Sequence, residues 1–253
     1  MSNNNLYAFI LSFLASIATF IGALFVFIKT NDSKKIVITS LSFAAGVMFF
    51  VSFFDLIPSS FKLMIKHHNM VNSIIVISLS ISIGIIISKI LDYYISINSK
   101  NNKLYKIGII NMVAIVVHNI PEGIITFLST TSNIKIGIAL SFAIAMHNVP
   151  EGISISIPIY YSTKSKKKAL LYTLISAVGE IVGTLIASVF LLNYINSDLL
   201  AIIYALTAGI MIYISMFELL VNSLEMAKIM DIILYFITGS FIMLISHSLL
   251  NLL

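Results

Sequence analysis

The 253-residue sequence contains no cysteine, no tryptophan and no arginine, and only 10% of its residues are charged. The absence of cysteine excludes disulfide bonds, thiolate metal ligands and redox chemistry of the chain's own. Any bound metal must therefore be held by nitrogen and oxygen atoms. Soluble domains carry roughly 25% charged residues, so this chain has too few charges to cover a water-facing surface. Lipid is the solvent that its composition fits.

Apolar residues are correspondingly abundant, at 59% of the chain with a mean hydropathy of +1.05. A membrane-spanning helix needs about 20 predominantly apolar residues. The sequence therefore predicts a single-domain, all-α integral membrane protein over residues 1–253, with no separate soluble domain. The eight predicted spans, numbered 1 to 8, cover residues 6–28, 36–57, 71–91, 107–128, 134–160, 169–194, 199–221 and 232–252.

The few charges are placed between the apolar segments. Twelve of the fifteen lysines follow spans 1, 3, 5 and 7, whereas Lys62, Lys66 and Lys135 lie in the opposite connections. The positive-inside rule makes the lysine-rich connections cytoplasmic and both termini extracytoplasmic, in a cell membrane. Basic connections of this kind orient a membrane protein, so no nucleic-acid partner is expected. The polar stretch 92–106 is predicted to be a flexible connector, and the first apolar stretch a span rather than a cleaved signal peptide.

A six-residue motif occurs twice, on spans 4 and 5. Because consecutive spans run antiparallel and each copy lies near mid-span, the two copies should face each other at similar depth. An approximate two-fold axis in the membrane plane would relate them, as in transporters built from inverted pairs of interrupted helices. The two copies are His118-Asn119-Ile120-Pro121-Glu122-Gly123 and His147-Asn148-Val149-Pro150-Glu151-Gly152.

The spacing within each motif places ligand-type side chains together. Residues four apart share a helix face and residues three apart lie beside it, so His118 and Glu122 point the same way. Pro121 lacks an N–H and should free the carbonyl oxygen of Val117 in mid-membrane, and Pro150 should do the same for Met146. Those oxygens need a partner, which a cation or water would supply.

A third buried acid, Glu180, lies near the centre of span 6. Each carboxylate costs roughly 2.5 to 3.5 kcal/mol at mid-membrane, and no lysine lies there to compensate. One or two divalent cations would supply the charge, since imidazole, carboxylate and amide oxygen suit Zn²⁺, Fe²⁺ or Mn²⁺. Protons would replace the metal in an empty site, so uptake should fall in acid. The predicted metal ligands are His118, Asn119, Glu122, His147, Asn148, Glu151 and Glu180.

Other interpretations of these polar residues remain open from sequence. The cluster could instead be a hydrogen-bonded network that holds helices together. Asp55 and Glu218, near the ends of spans 2 and 7, mark either the two ends of a cation path or side chains that reach the interface. His247 is expected to be a packed histidine. His67 and His68 either capture metal loosely or belong to a solvated loop.

The leading functional hypothesis is divalent-cation uptake into the cytoplasm by alternating access, without a phosphate-binding motif for ATP and without a catalytic cofactor. A rival is an intramembrane hydrolase in which bound zinc activates water. The symmetric motif pair offers no asymmetric general base for that reaction. A third possibility is a membrane protein that senses metal without moving it. The protein is therefore predicted not to be an enzyme.

The doubled motif, with the glycine-flanked Glu180, resembles the ZIP (Zrt- and Irt-like) metal transporters, and most closely their bacterial ZupT-type branch. The resemblance implies a 3+2+3 helix bundle, a homodimer, and elevator-like movement of a bundle containing spans 4 and 5. Zinc is the commonest substrate that it implies, with iron, manganese and cobalt. The connector 92–106 lacks the histidines of many members, so metal sensing there is not expected. The implied binuclear site has one metal on His118, Glu122, His147 and Glu151, and a second on Asn119, Glu122, Asn148, Glu151 and Glu180.

Overall fold

Eight helices long and apolar enough to cross a membrane occur in the part of the chain that the structure, a computed structural model, describes. The described residues are 3–28, 32–98, 102–191 and 196–250. They contain helices and no strand. All eight predicted spans are confirmed, and the protein is an all-α, multi-pass membrane protein. The predicted ends of spans 6 and 8, at residues 194 and 252, lie outside the described residues.

The bounds of the spans follow from the helices as the structure has them. Span 1 is the α-helix Asn3–Ala23 with a 3-10 turn Leu24–Phe27, span 2 joins α-helices Ser33–Phe50 and Ile57–Met64 through Val51–Leu56, and span 3 is Met70–Asn98. Span 4 is Lys103–Ser132, span 5 is Ile134–Thr163, and span 6 is Lys166–Ile186 extended by Ala187–Leu191. Span 7 joins Ser197–Tyr213 and Val221–Leu224 through Ile214–Leu220, and span 8 is Ile229–Leu250.

A single residue, Asn133, joins spans 4 and 5. Its backbone N–H donates to the carbonyl oxygen of Ser129 at the end of span 4, and its side chain accepts from the first backbone N–H groups of span 5. Such capping fixes where one helix ends and the next begins. His118 lies 15 residues before Asn133 and His147 lies 14 residues after it. The two motifs are therefore at nearly equal depth, as their spacing predicted.

Two predictions about local structure are wrong. The α-helices of spans 4 and 5 run without interruption through Pro121 and Pro150, because packing on neighbouring helices offsets the single backbone hydrogen bond that each proline removes. The stretch 92–106 is not a long connector. The helix of span 3 continues to Asn98 and that of span 4 begins at Lys103, since polar residues extend a helix beyond its apolar part. Residues 99–101 lie outside the described part.

Within the described residues, three spans contain a π-helical segment that the sequence analysis did not predict. These segments are Val51–Leu56 in span 2, Ala187–Leu191 in span 6 and Ile214–Leu220 in span 7. A π segment inserts one residue per turn into the α-helical register and often occurs at a functional site. Two of the three contain an acid, Asp55 and Glu218.

Reciprocal glycine contacts hold the spans in four close pairs. A Cβ atom added to any of these glycines would lie within 2.3 Å of a backbone oxygen on the facing span. Such close approach of small residues is how membrane helices gain packing energy. The contacts pair spans 1 and 5 through Gly22 and Gly152, spans 4 and 6 through Gly123 and Gly183, spans 2 and 8 through Gly46 and Gly239, and spans 3 and 7 through Gly84 and Gly209.

These pairs confirm the predicted two-fold relation. Exchanging spans 1 with 6, 2 with 7, 3 with 8, and 4 with 5 converts each glycine pair into another. The relation is also visible in the sequence, in a second repeat that the doubled motif does not include. Residues 44–60, AAGVMFFVSFFDLIPSS, resemble residues 207–223, TAGIMIYISMFELLVNS. In this alignment Asp55 corresponds to Glu218. The glycine contacts, which relate span 8 to span 3, make His247 the counterpart of Asp92 under the two-fold relation.

Candidate metal centre

The seven predicted ligands all lie in the interior, where spans 4 and 5 cross between spans 1 and 6. None of them is more than 4% exposed. Spans 4 and 5 each supply one histidine, one asparagine and one glutamate, and span 6 supplies Glu180. The structure therefore brings together all seven predicted ligands, and the one-residue junction sets the common depth of the six that lie on spans 4 and 5.

Each histidine of the motif pair contacts the glutamate of the other copy. His118 Nε2 lies 3.0 Å from Glu151 Oε1, and His147 Nε2 lies 3.0 Å from Glu122 Oε1. The two contacts are equal in length and cross between spans 4 and 5, as the two-fold relation requires. Within one motif the histidine and glutamate share a helix face, but their hydrogen bonds join the two helices rather than neighbouring turns.

The asparagines anchor the motifs to the flanking spans. Asn119 Nδ2 donates to the carbonyl oxygen of Ser176 on span 6, and Asn148 Nδ2 donates to that of Ala15 on span 1, both at 3.0 Å. Asn148 Nδ2 also donates to Glu180 Oε2 at 3.1 Å. These bonds use the amide nitrogens only, so they leave the amide oxygens of both asparagines available.

Glu180 breaks the symmetry of the site. Its carbonyl oxygen lies against Gly123 in the same way that the carbonyl oxygen of Thr19 lies against Gly152. Thr19 is therefore its counterpart on span 1, and a hydroxyl occupies the position of a carboxylate. The site has one acid on the span 6 side and none on the span 1 side.

Each of the seven side chains has one buried nitrogen or oxygen atom without a hydrogen-bond partner in the described part of the protein. More than about 90% of buried polar groups normally have a partner, so seven such atoms in one cluster are unusual. A network that served only to hold helices together would account for the His–Glu pairs but not for these atoms. They are His118 Nδ1, Asn119 Oδ1, Glu122 Oε2, His147 Nδ1, Asn148 Oδ1, Glu151 Oε2 and Glu180 Oε1.

The arrangement is not that of a formed metal site. Among the described residues, no three histidine, aspartate or glutamate side chains are placed to hold one metal ion together. The imidazoles bond to the carboxylates instead, through Nε2. A cation would therefore have to replace the His–Glu contacts, with the side chains rotating toward it.

A cavity of about 290 Å³ leads to the site from the end of the molecule that has few lysines. Its lining includes Glu122 and His147 at the inner end, with Asp55, Tyr204 and His247. His247 Nδ1 contacts the Asp55 carboxylate. The ring of His247 also packs edge-on against Phe50, as expected of a packed histidine. Spans 2 and 8 bring it to the cavity wall beside Asp55, and no local sequence signal indicates that pairing.

The lysine-rich end has a related cluster around Glu218 and Asp92, the counterparts of Asp55 and His247. Glu218 is buried in its π segment and accepts a hydrogen bond from Asn222 Nδ2 at 3.2 Å. Asp92 accepts from the hydroxyl of Tyr213 at 2.8 Å and lies 3.7 Å from Lys106 Nζ. Burial of Glu218 excludes an interfacial side chain. The sequence analysis missed Asp92. The repeat of spans 2 and 7 could have indicated this region, because it relates Glu218 to Asp55.

Two smaller polar features lie outside the centre. His68 Nε2 lies 2.8 Å from Asp198 Oδ2 at the lysine-poor surface, which ties the connection after span 2 to the start of span 7. Asn111 Nδ2 donates to the carbonyl oxygen of Ser154, a further buried bond between spans 4 and 5 that the sequence analysis missed.

Comparison with known proteins identifies the family. The family described as ZIP Zinc transporter matches residues 96–247. The "Zinc transporter ZupT" of Streptococcus mutans is 35% identical over 97% of this chain and 98% of its own length. Those of Clostridium perfringens and Chlorobaculum parvum are 34% and 37% identical, covering 86% and 89% of this chain and 87% and 90% of their own. The chain belongs to the ZIP family.

Membership of the ZIP family confirms the resemblance seen in the doubled motif. The matched range of the ZIP family contains both motif copies and Glu180, and the ZupT relatives extend the similarity to spans 1 to 3. The clustered side chains therefore belong to the part of the chain that the ZIP family shares.

Proposed function

We propose that the protein transports divalent metal ions, zinc foremost, across the cell membrane into the cytoplasm. Zinc is named as the cargo of the ZupT relatives. The observation that carries the proposal is the set of seven unpartnered buried atoms, one on each predicted ligand. Iron, manganese and cobalt suit the same nitrogen and oxygen donors.

The donor set fits one or two transported cations. Two imidazoles and the carboxylates of Glu122 and Glu151 provide a first position, and the two asparagine oxygens, with Glu180 and the same two glutamates, provide a second. Three carboxylates at mid-membrane are costly without positive charge, and a divalent cation supplies it. Because ligands must be deprotonated to bind metal, acid should lower uptake.

The cavity indicates the side from which the ion enters. It opens at the lysine-poor end and reaches Glu122 and His147, with Asp55 and His247 along its wall. The positive-inside rule makes this end extracytoplasmic, and the termini with it. On this proposal Asp55 and His247 meet the incoming ion, and Asp92 and Glu218, their counterparts, lie where it leaves.

The glycine pairs suggest which parts move. Spans 1, 4, 5 and 6 are joined through Gly22–Gly152 and Gly123–Gly183, and these four spans carry all seven ligands. Spans 2 and 8, and spans 3 and 7, form separate pairs through the other glycines. Alternating access would move the first group against the second. A homodimer, implied by the ZIP resemblance, stays a prediction.

Flux measurements on reconstituted protein test this function. Purified protein in liposomes should admit zinc, and Glu122→Ala and Glu151→Ala should each reduce the flux by roughly tenfold or more, since removing even an indirect support of a metal ligand costs about 10–100-fold. Glu225→Ala is the matched control, because Glu225 is exposed and contacts Lys103 away from the site. Iron, manganese and cobalt are compared in the same vesicles.

The same experiment distinguishes the rivals. Equal flux in the wild type and both site variants would contradict transport through this centre. Cleavage of added peptide or lipid without metal flux would indicate the hydrolase, and tight zinc binding without flux would indicate a sensor. The proposal that the protein is not an enzyme depends on the absence of such cleavage.

A further inference from the structure

A long apolar groove lies on the side of the protein between spans 1 and 5 and spans 2 and 8. Its volume is about 550 Å³, within the range of about 300 to 1,000 Å³ of small-molecule sites. It extends from mid-membrane to the lysine-rich end. Its walls are almost entirely apolar, and its lining includes Phe25, Ile36, Phe43, Val149, Ile153 and Met243.

The two-fold relation provides an internal control for this groove. Its counterpart, between spans 6 and 4 and spans 7 and 3, is filled by the protein's own side chains. There Ile120, Ile186 and Ile203 pack on a buried cluster that includes Ile124, Phe127 and Leu128. The fold therefore does not require an open groove at this position.

At two positions the groove has smaller residues than its counterpart. Thr39 and Ser40 line it, and the repeat aligns them with Ile202 and Ile203 of span 7. The Ser40 hydroxyl donates to the carbonyl oxygen of Val37 at 2.8 Å, so it needs no other partner. The groove presents apolar surface at membrane depth, where hydrocarbon is the only solvent.

Positive charge lies at one end of the groove. Lys34 and Lys35 directly precede the groove residue Ile36 in sequence and line a neighbouring cleft with Asp32 and Asp231 at the same end of span 2. The ammonium of Lys166 lies 4.3 Å from the ring centre of Phe27. Phe27 lies in sequence between the groove residues Phe25 and Ile28. Lysines beside a membrane attract anionic lipid headgroups.

We propose that this groove binds an acyl chain of an anionic phospholipid whose headgroup contacts Lys34, Lys35 and Lys166. The chain supplies the hydrocarbon that isoleucines supply in the related half. The two walls belong to the two groups of spans that the proposed transport moves, and Val149 and Pro150 of the second motif line one of them. Binding of the lipid does not depend on the transport proposal.

Photocrosslinking tests the site directly. The protein is placed in nanodiscs with phosphatidylglycerol that carries a diazirine on its acyl chain, and adducts are mapped by peptide mass spectrometry. We expect adducts concentrated in residues 36–47 and 146–157. Filling the groove with Thr39→Ile and Ser40→Ile should reduce them several-fold. Ser82→Ile is the matched control, because Ser82 is an exposed serine of span 3 with the same type of hydroxyl-to-backbone bond.

Several results would overturn the proposal. One is labelling spread evenly over the exposed faces of spans 3 and 8, and another is labelling of the groove that the filling variants leave unchanged. Dissociation of a dimer by those variants, without loss of adducts, would show that a second copy covers the groove. Changing Lys34, Lys35 and Lys166 to Gln should remove the preference for phosphatidylglycerol over phosphatidylcholine; an unchanged preference would contradict the headgroup assignment. Zinc flux is measured separately, so its loss does not decide the lipid result.

Discussion

At the scale of single residues, the site is a symmetric pair with one asymmetric acid. The equal His–Glu contacts and the two Asn-to-backbone bonds repeat across the two-fold axis. Glu180 stands where span 1 has Thr19. A strictly symmetric site would have two or four carboxylates, whereas this site has three, so the two metal positions proposed above differ in charge.

The asymmetry leads to a prediction for Glu180→Gln. Glutamine keeps the size of the side chain and an oxygen that accepts from Asn148, but it removes one charge from the proposed second position. Zinc flux into proteoliposomes should fall by roughly tenfold or more, the lower range for losing support of a metal site, while the protein should still fold.

Thr19→Val is the control at the counterpart position. It removes a buried hydroxyl that has no hydrogen-bond partner in the described part of the protein, so no bond and no charge is lost and flux should stay near the wild-type level. Wild-type flux in Glu180→Gln would show that this carboxylate takes no part in moving the ion.

At the scale of the helices, the glycine pairs set the height and separation of the motifs. The last residue of each motif, Gly123 or Gly152, contacts the backbone of a flanking span. The motif therefore combines the proposed ligands with the contact that positions them. The prolines, which the sequence suggested would interrupt the helices, leave them continuous.

Gly123→Ala should separate spans 4 and 6. Its Cβ would lie 1.9 Å from the carbonyl oxygen of Glu180, and backbone cannot move aside as a side chain can. Overpacking costs about 1–3 kcal/mol, so we expect a lower melting temperature in detergent and a loss of zinc flux.

Gly108→Ala tests the same change on the same helix. There the Cβ would meet the buried side chain of Ile159 on span 5 rather than a backbone carbonyl of span 6, so zinc flux should fall less than in Gly123→Ala. Equal effects at both positions would mean that helix propensity, rather than the contact with span 6, explains the loss at Gly123.

At the scale of the whole molecule, the orientation in the membrane determines which way the cavity faces. The absence of cysteine allows single cysteines to report sidedness without background. In intact cells, an impermeant maleimide should label Lys66→Cys at the lysine-poor end and leave Lys167→Cys unlabelled, because lysine-rich connections stay in the cytoplasm. Permeabilised cells should label both. The reverse pattern in intact cells would invert the proposed direction of transport.

The sequence by itself determined the eight spans, the doubled motif and the seven candidate ligands. Apolar length specifies a membrane helix, and the short junction at Asn133 fixes the relative depth of the motifs. The tertiary structure alone decided that the histidines contact the opposite glutamates, that His247 meets Asp55 across spans 2 and 8, and that one half of the repeat leaves a groove where the other is packed. These features arise from contacts between residues distant in the chain, and no local pattern of residues specifies such contacts.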